Sequence, residues 1–208
     1  MMIPKQLFTN VNETPIVIAI DGFCGSGKTT LANWLQHYLE KNSISCNVIS
    51  MDDFFLPLEL RTKERLEQPG GNIHYERFLN QVLLPLKQLN EDCISHFSYY
   101  PFECSHMGFS SSPTIIHKKM VTIIEGVYCM RPEFRSFYDY TIFMTISEEL
   151  QKERIMARNG SVMFHKFEST WMPMEHLYFD YYKIPNCCNQ VICGNFELST
   201  LEDRALFL

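Results

Sequence analysis

The sequence lacks several features that would assign it to whole classes of protein. Its longest apolar runs have the length of strands, far short of the roughly 20 residues that a membrane-spanning helix requires. Its formal net charge is −6, so there is no overall positive field to hold a nucleic acid polymer. No signal peptide is recognisable at its start. These absences predict a cytoplasmic protein with neither a membrane nor a nucleic acid polymer as partner.

The eight cysteines lack the spacing of a metal or redox site, because no two of them form a C-x-x-C pair. Several lie within apolar runs, where a free cysteine behaves as a small hydrophobic residue. Disulfides are rare in the reducing compartment predicted above. We therefore expect free thiols.

The length and composition predict one domain over residues 1–208. A chain of 208 residues suits a single compact domain, and 46% hydrophobic with 20% charged residues is ordinary for a globular protein. We expect a lead-in arm over about 1–14 and a short lid region over about 159–172. The sequence does not determine the oligomeric state and leaves a homo-oligomer open.

Strand-like apolar runs alternate along the chain with segments of helical periodicity. The predicted strands cover residues 15–20, 46–51, 120–124, 140–146 and 190–193. Helical spacing follows the first and fourth runs and recurs around 75–84, where Pro85 should kink or end the helix. This alternation predicts βαβ units and a three-layer α/β/α fold of the P-loop NTPase type with a mostly parallel sheet. Residues 90–119 should form an irregular excursion or hairpin.

Three acidic residues, Asp21, Asp52 and Glu125, each follow a predicted strand. The carboxyl ends of parallel strands meet at one edge of a sheet, where such folds bind ligands. We therefore expect these carboxylates to gather at that edge.

A glycine-rich turn between the first strand and the first helix matches G-x-x-x-x-G-K-[ST] in full. In this motif the main-chain N–H groups wrap around phosphates, and the helix N-terminus adds positive potential. Lys28 can reach the β- and γ-phosphates, and the Thr29 hydroxyl can ligate Mg²⁺. The sequence thus predicts a site for ATP and Mg²⁺. The predicted nucleotide-binding residues are Gly22, Phe23, Cys24, Gly25, Ser26, Gly27, Lys28, Thr29 and Thr30.

Four segments together resemble the uridine kinase family of P-loop kinases, whose relatives include phosphoribulokinase and bacterial pantothenate kinase. They are residues 21–32, the D-D-F-F of 52–55, the E-G-V-Y of 125–128, and 154–158. The resemblance implies transfer of the γ-phosphate of ATP to a hydroxyl of a small acceptor, most readily a nucleoside such as uridine or cytidine. The alternatives are a pantothenate-type or other small-molecule kinase, and a non-catalytic nucleotide-binding regulatory protein.

The same resemblance implies that Asp52 is the general base and that Glu125 helps to hold magnesium. Independently, a carboxylate that takes the proton of an attacking hydroxyl typically contributes about 10²- to 10⁴-fold in rate. Thr29, Asp52 and Glu125 together offer the oxygen ligands that Mg²⁺ prefers. The neighbouring Asp53 is equally acidic and could instead cap the following segment.

Arg154 and Arg158 lie four residues apart, which places them on one face of a helix. The resemblance implies that they close over the site as part of a lid and stabilise the transferring phosphate; solvation of a surface helix is the alternative. Further on, the spacing of Trp171, Tyr178 and Tyr182 favours a packed helix face. Glu175 in this segment is a candidate partner for a lid arginine.

On the acceptor side, residues 70–78 resemble the segment that lines the acceptor pocket in the uridine kinase family. This makes His74 and Tyr75 candidate substrate contacts. Tyr100 and His106 fall near the places where relatives put an aromatic residue and a histidine against the base. For His74, Tyr100 and His106, surface or packing roles are equally compatible with the sequence.

Overall fold

A five-stranded parallel sheet organises the protein. The structure, a computed structural model, describes residues 4–8 and 14–195. The strands are β1 Ile16–Gly22, β2 Cys46–Ser50, β3 His96–Tyr99, β4 Phe102–Glu103, β5 Gly108–Phe109, β6 Thr114–His117, β7 Val121–Glu125, β8 Tyr140–Thr145 and β9 Gln190–Cys193. The central sheet has the order β2-β7-β1-β8-β9, with every neighbouring pair parallel. These are the five strands predicted from the apolar runs.

Helices cover both faces of this sheet. They are α1 Lys28–Lys41, α2 Lys63–Leu66, α3 Tyr75–Phe78, α4 Leu84–Asn90, α5 Glu148–Lys166 and α6 Met172–Tyr182, with π-helical turns over Leu79–Leu83 and Phe167–Trp171. One buried cluster packs α1 against the sheet, with Leu31 and Leu35 fully buried. A larger cluster fills the opposite face, with Phe78 and Tyr178 fully buried. The predicted three-layer α/β/α fold is confirmed.

The helix predicted around residues 75–84 continues beyond Pro85. Proline lacks an N–H and clashes with the carbonyl four residues earlier. The π-helical turn Leu79–Leu83 precedes it, and Pro85 lies in the first turn of α4. A π-helical turn is a common way to bend a helix at such a point. The helical segment therefore does not end at Pro85 but continues to Asn90, and a kink at Pro85 stays a prediction.

The excursion between α4 and β7 forms two antiparallel ladders. β3 pairs with β6, and β4 pairs with β5 in a short hairpin over residues 102–109. Tyr99 and Phe102 of this excursion are buried. The hairpin thereby lies against the main domain and contacts the turn that follows β2.

Several other expectations can be compared with the described residues. All eight cysteines lie within them and are free. None of the helices in residues 4–8 and 14–195 has the length and apolar character needed to cross a bilayer. The lid region over 159–172 stays a prediction; within it, Gly160 has φ 74° and interrupts the helical conformation of α5. The lead-in arm over 1–14 lies mostly outside the described residues.

Candidate active site

The glycine-rich turn forms a tight connection between β1 and α1. Gly25 and Gly27 both have positive φ, 75° and 96°, which glycine adopts readily. Gly22 has φ 145°, and a Cβ there would lie 2.2 Å from the main-chain oxygen of Met144 on β8. Gly27 precedes α1 and contributes no capping side chain, so the first N–H groups of the helix remain available to an anion.

Lys28 holds the turn in its curled form. Its Nζ donates to the main-chain oxygens of Gly22 and Phe23, both at 2.9 Å. An ammonium group has three donors, so one remains for a phosphate oxygen. The lysine is thus buried at the centre of the turn, where the sequence motif predicted it.

Glu125 meets Thr29 at the carboxyl edge of the sheet, as expected. The Thr29 hydroxyl donates to Oε1 and Oε2 of Glu125, each at 3.2 Å. Ser50 also donates to Oε1 at 3.2 Å. Burial raises the pKa of Glu125, and the nearby charge of Lys28 lowers it. Ser50 was not among the predicted site residues, although its place at the end of β2 was an available signal.

Asp52 and Asp53 follow β2 in a short 3₁₀ turn, Met51–Phe54, and have different surroundings. Asp53 is half-buried, and its Oδ2 accepts the hydroxyl of Tyr99 at 2.9 Å. The Asp52 residue has solvent-exposed surface, yet neighbouring protein atoms surround much of its carboxylate and reduce its contact with water. The resulting desolvation raises the pKa of Asp52, while the charges of Lys28 and Arg158 lower it. Asp52 therefore lies, with its side chain exposed, near the glycine-rich turn of residues 22–29 (the phosphate turn), whereas the carboxylate of Asp53 is engaged by Tyr99 of β3.

Asp21 does not join the other acids at the sheet edge, so that expectation was wrong. β1 extends to Gly22, two residues further than predicted, and this places Asp21 inside the strand and fully buried. Its donors are the main-chain N–H groups of Gly22, Tyr128 and Met130 and the hydroxyl of Tyr178. Burial raises the pKa of Asp21 to about 6, although the donors from Gly22, Tyr178 and Met130 and the charge of Lys28 lower it. Asp21 pins the segment after β7, where Tyr128 has the unusual φ of 77° for a bulky residue.

Arg154 forms a hydrogen bond to the outer side of the phosphate turn. Its Nη1 donates to the Gly25 carbonyl and its Nη2 to the Gly194 carbonyl, both at 3.0 Å. The guanidinium therefore joins the turn to the chain that follows β9. In the structure Arg154 positions the turn, and direct contact with a transferring phosphate stays a prediction.

Arg158 lies near enough to Asp52 for its charge to act on that carboxylate. Its Nη2 donates to the Sγ of Cys24 at 3.3 Å, and its Nε donates to Oδ1 of Asn159 at 2.8 Å. Its charge lowers the pKa of Asp52. Arg158 is thus placed to add positive charge beside the turn, as the lid hypothesis requires.

Glu175 contacts the phosphate turn and not a lid arginine, contrary to the expectation. Its Oε2 accepts the main-chain N–H of Cys24 at 3.0 Å and the side-chain amide of Gln151 at 3.3 Å. The residue is only 3% exposed. Burial raises the pKa of Glu175 to about 7, although Lys28 and the Cys24 N–H favour the charged form. A buried acid on α6 therefore holds the back of the turn.

His74 and Tyr75 are occupied within the loop that precedes α3. The Nδ1 of His74 accepts the main-chain N–H of Arg77 at 3.4 Å and so caps α3. The ring of Tyr75 lies between the guanidinium groups of Arg65 and Arg131, each 3.7 Å from its centre. Both residues shape the loop, and their contact with a substrate stays a prediction.

Tyr100 and His106 are separated by the geometry of the excursion. Tyr100 lines a cavity of about 190 Å³ together with Arg77, Gln81 and Phe109. His106 sits in the turn of the β4–β5 hairpin, and its Nε2 lies 3.4 Å from the Phe109 carbonyl oxygen. The structure therefore places Tyr100 at a cavity and His106 within the hairpin. Arg77, which also lines this cavity, was not among the predicted site residues.

The donor set at the sheet edge fits magnesium. Glu125, Thr29 and Ser50 present hard oxygen atoms within hydrogen-bonding distance of one another, which is the chemistry Mg²⁺ prefers. Within the described residues no three His, Cys, Asp or Glu side chains form a self-contained metal cage. Magnesium in phosphoryl-transfer sites instead relies on one or two carboxylates, waters and substrate phosphates, and these residues could hold it in that way.

The fold and the curled, glycine-rich turn define a P-loop nucleotide-binding domain. A sequence model of the KAP family P-loop domain matches residues 5–174, so the chain belongs to that family. Curated relatives at about a quarter identity and solved structures of similar fold are described as kinases, as the resemblance read from the motifs leads one to expect.

One comparison of sequence and two comparisons of structure show how similar this chain is to known proteins. A pantothenate kinase of Mesorhizobium japonicum is 26% identical over 195 residues, covering 78% of this chain and 59% of the relative. A structure described as a possible uridine kinase from Bacillus stearothermophilus has a TM-score of 0.66 at 22% identity and covers 90% of this chain and 95% of its own. D-glycerate 3-kinase from Cryptococcus neoformans has a TM-score of 0.54 at 19% identity and 80% coverage of both chains. The chain spans 59% of the length of the curated relative, and the two structures show the shared fold.

Proposed function

We propose that this protein is an ATP- and Mg²⁺-dependent kinase that phosphorylates a hydroxyl of a small molecule. The observation that carries this proposal is the meeting of Lys28, Thr29 and Glu125 at the carboxyl edge of the sheet. Asp52 lies beside them, close enough for its pKa to be lowered by the charge of Lys28. The groups that we propose to bind phosphate, to hold magnesium and to accept a proton therefore lie around one turn.

The proposed reaction is a direct displacement at the γ-phosphorus. The acceptor oxygen bonds to this phosphorus, the bond to the β–γ bridging oxygen breaks, and ADP leaves. The acceptor hydroxyl gives its proton to the Asp52 carboxylate. Because desolvation raises the pKa of Asp52, this carboxylate is a stronger base than a solvated aspartate.

The charge that spreads over the transferring phosphoryl group requires positive partners. Lys28 and the N–H groups of the turn bind the phosphates, and Arg158 adds charge from α5. Magnesium bound at Thr29 and Glu125 would neutralise part of the β- and γ-phosphate charge. Arg154 and Glu175 hold the turn from outside and behind, respectively, so that its donors keep their direction.

For the acceptor, the motifs and the relatives support two classes. The uridine kinase resemblance supports a nucleoside, such as uridine or cytidine. The kinship with pantothenate kinases supports a pantothenate-type acceptor. Both classes present a hydroxyl that Asp52 could deprotonate.

Release of ADP from Mg·ATP tests the proposal. Uridine, cytidine and pantothenate should each be supplied, and a phosphorylated product identified by mass spectrometry. We expect at least one compound to raise ADP release above the acceptor-free rate in the wild type but not in Lys28→Met. Tight ATP binding without any phosphorylated product would instead support the nucleotide-binding regulator.

A further inference from the structure

Glu175 is a buried carboxylate that takes no part in the phosphoryl transfer proposed above. It lies on α6 and is 3% exposed. Among the described residues, the donors that bond to it are neutral: the main-chain N–H of Cys24 at 3.0 Å and the side-chain amide of Gln151 at 3.3 Å. A buried carboxylate that no cation contacts directly is costly in its charged form, so its place behind the phosphate turn requires an explanation.

The bond to Cys24 occupies a main-chain N–H of the phosphate turn itself. In such turns successive main-chain N–H groups bind anions, and here one of them is given to an acid of the protein. The preceding residue of the turn, Phe23, also packs on α6, with its ring centre 5.1 Å from that of His176 and 4.7 Å from that of Phe179. Helix α6 therefore contacts two consecutive residues of the turn and holds the Glu175 carboxylate against it.

Charged and titratable groups from several elements surround Glu175. They are Asp21 of β1, Cys24 of the turn, Lys28 of α1 and Tyr128 after β7, with the neutral amide of Gln151 on α5. Arg158 of α5 lies one contact further away, bonded to the Sγ of Cys24. Burial raises the pKa of Glu175 to about 7, although the charge of Lys28 and the Cys24 N–H lower it. A change of local charge can therefore alter its protonation near neutral pH.

A triphosphate bound at the turn would supply such a change. Its negative charge would lie on the same short turn that bonds to Glu175, and like charges repel more strongly in a poorly hydrated site than in water. It would also engage the remaining donor of Lys28, the cation that favours the charged form of Glu175. Both effects favour the neutral, protonated acid, which keeps an oxygen for the Cys24 N–H.

We propose that Glu175 takes up a proton from solvent when ATP binds, so that the acid behind the phosphate turn links nucleotide affinity to pH. The inference rests on the ATP binding proposed above and adds a proton as a second ligand of the same turn. Because such coupling is reciprocal, ATP must bind more weakly once Glu175 is ionised. Couplings between two ligands of one protein typically lie at about 5- to 150-fold. We expect the lower end, about 5- to 10-fold, because the turn separates the two anions.

Calorimetric titration with Mg·ATP tests this inference without any need for turnover. Titrations at pH 7.5 in PIPES, HEPES and Tris, which differ in ionisation enthalpy, count the protons taken up, and a pH series gives the Kd. Since the nucleotide and Asp21 also bind protons, the relevant quantity is the difference between the wild type and Glu175→Gln, whose amide is neutral at every pH. We expect the wild type to take up about half a proton more than Glu175→Gln at pH 7.5. Its Kd should rise about 5- to 10-fold more between pH 6 and pH 9. Asp180→Asn, an exposed acid on the same helix, is the matched control and should behave as the wild type.

The outcomes separate this inference from the kinase proposal. Equal proton uptake in the wild type and Glu175→Gln, or a wild-type affinity that improves as pH rises, overturns the inference and leaves ATP binding intact. Absence of ATP binding to the wild type overturns the nucleotide site and the inference together. If Glu175→Gln does not fold, Gln151→Leu carries the test, because it removes an amide that stabilises the charged form of Glu175. It should move the fall in ATP affinity to a higher pH, and an unmoved profile overturns the inference.

Discussion

The buried acid behind the phosphate turn makes a sharp prediction about stability. Glu175 has an ordinary pKa of 4.5, which burial raises to about 7 in the folded protein. The difference, at about 1.4 kcal/mol for each pKa unit, means that the charged form of Glu175 destabilises the fold by about 3 kcal/mol. Glu175→Gln removes this charge and keeps an oxygen that can accept the Cys24 N–H.

The direction of the effect follows from proton binding. Between about pH 4.5 and 7 the folded state binds more protons than the unfolded state, so stability falls as pH rises. Below this window Glu175 is protonated in both states, and its charge has no effect. We therefore expect the free energy of unfolding of Glu175→Gln, relative to the wild type, to increase by about 3 kcal/mol between pH 4.5 and pH 8.5.

Urea unfolding, followed by the fluorescence of the two tryptophans, measures this difference at each pH. Asp180→Asn, an exposed acid on the same helix, is the matched control and should show little pH-dependent gain. A difference between Glu175→Gln and the wild type that does not change with pH would refute the reasoning. A loss of stability at pH 8.5 would show that the bond from Cys24 to the carboxylate outweighs desolvation.

Three further substitutions probe the turn and the proposed base. Lys28→Met should abolish phosphorylation without unfolding the protein, since it removes the ammonium that faces the phosphates; retained turnover would contradict its role. Asp52→Asn should leave ATP affinity largely intact but lower kcat by about 10²- to 10⁴-fold, whereas weakened ATP binding at normal kcat would make Asp52 a binding residue. Gly22→Ala should lower stability by about 3 kcal/mol or more, because its Cβ would lie 2.2 Å from the Met144 oxygen; an unchanged melting temperature would count against that clash.

Local pattern was sufficient to predict the frame of the site. Each strand of the central sheet is an apolar run, because strands covered on both faces need apolar residues throughout. The turn motif between the first strand and helix, ending in Lys28 and Thr29, was enough to predict a phosphate site by its own spacing. The position of Glu125 at the end of a strand was enough to bring it to Thr29, since parallel strands end at a common edge.

Contacts between distant segments were decided only by the tertiary structure. Because β1 continues two residues further than predicted, Asp21 lies inside the strand and not at the sheet edge. There it accepts a hydrogen bond from the segment after β7. Glu175 reaches Cys24 across 151 positions of sequence, and the guanidinium of Arg77 packs against the ring of Phe109 from the distant hairpin. Periodicity and motif spacing record how neighbouring residues are arranged, whereas desolvation and pairing of a charge depend on which remote groups pack around it. The sequence therefore predicted where the proposed chemistry lies, and packing determined which charged groups are buried and paired and which keep accessible surface.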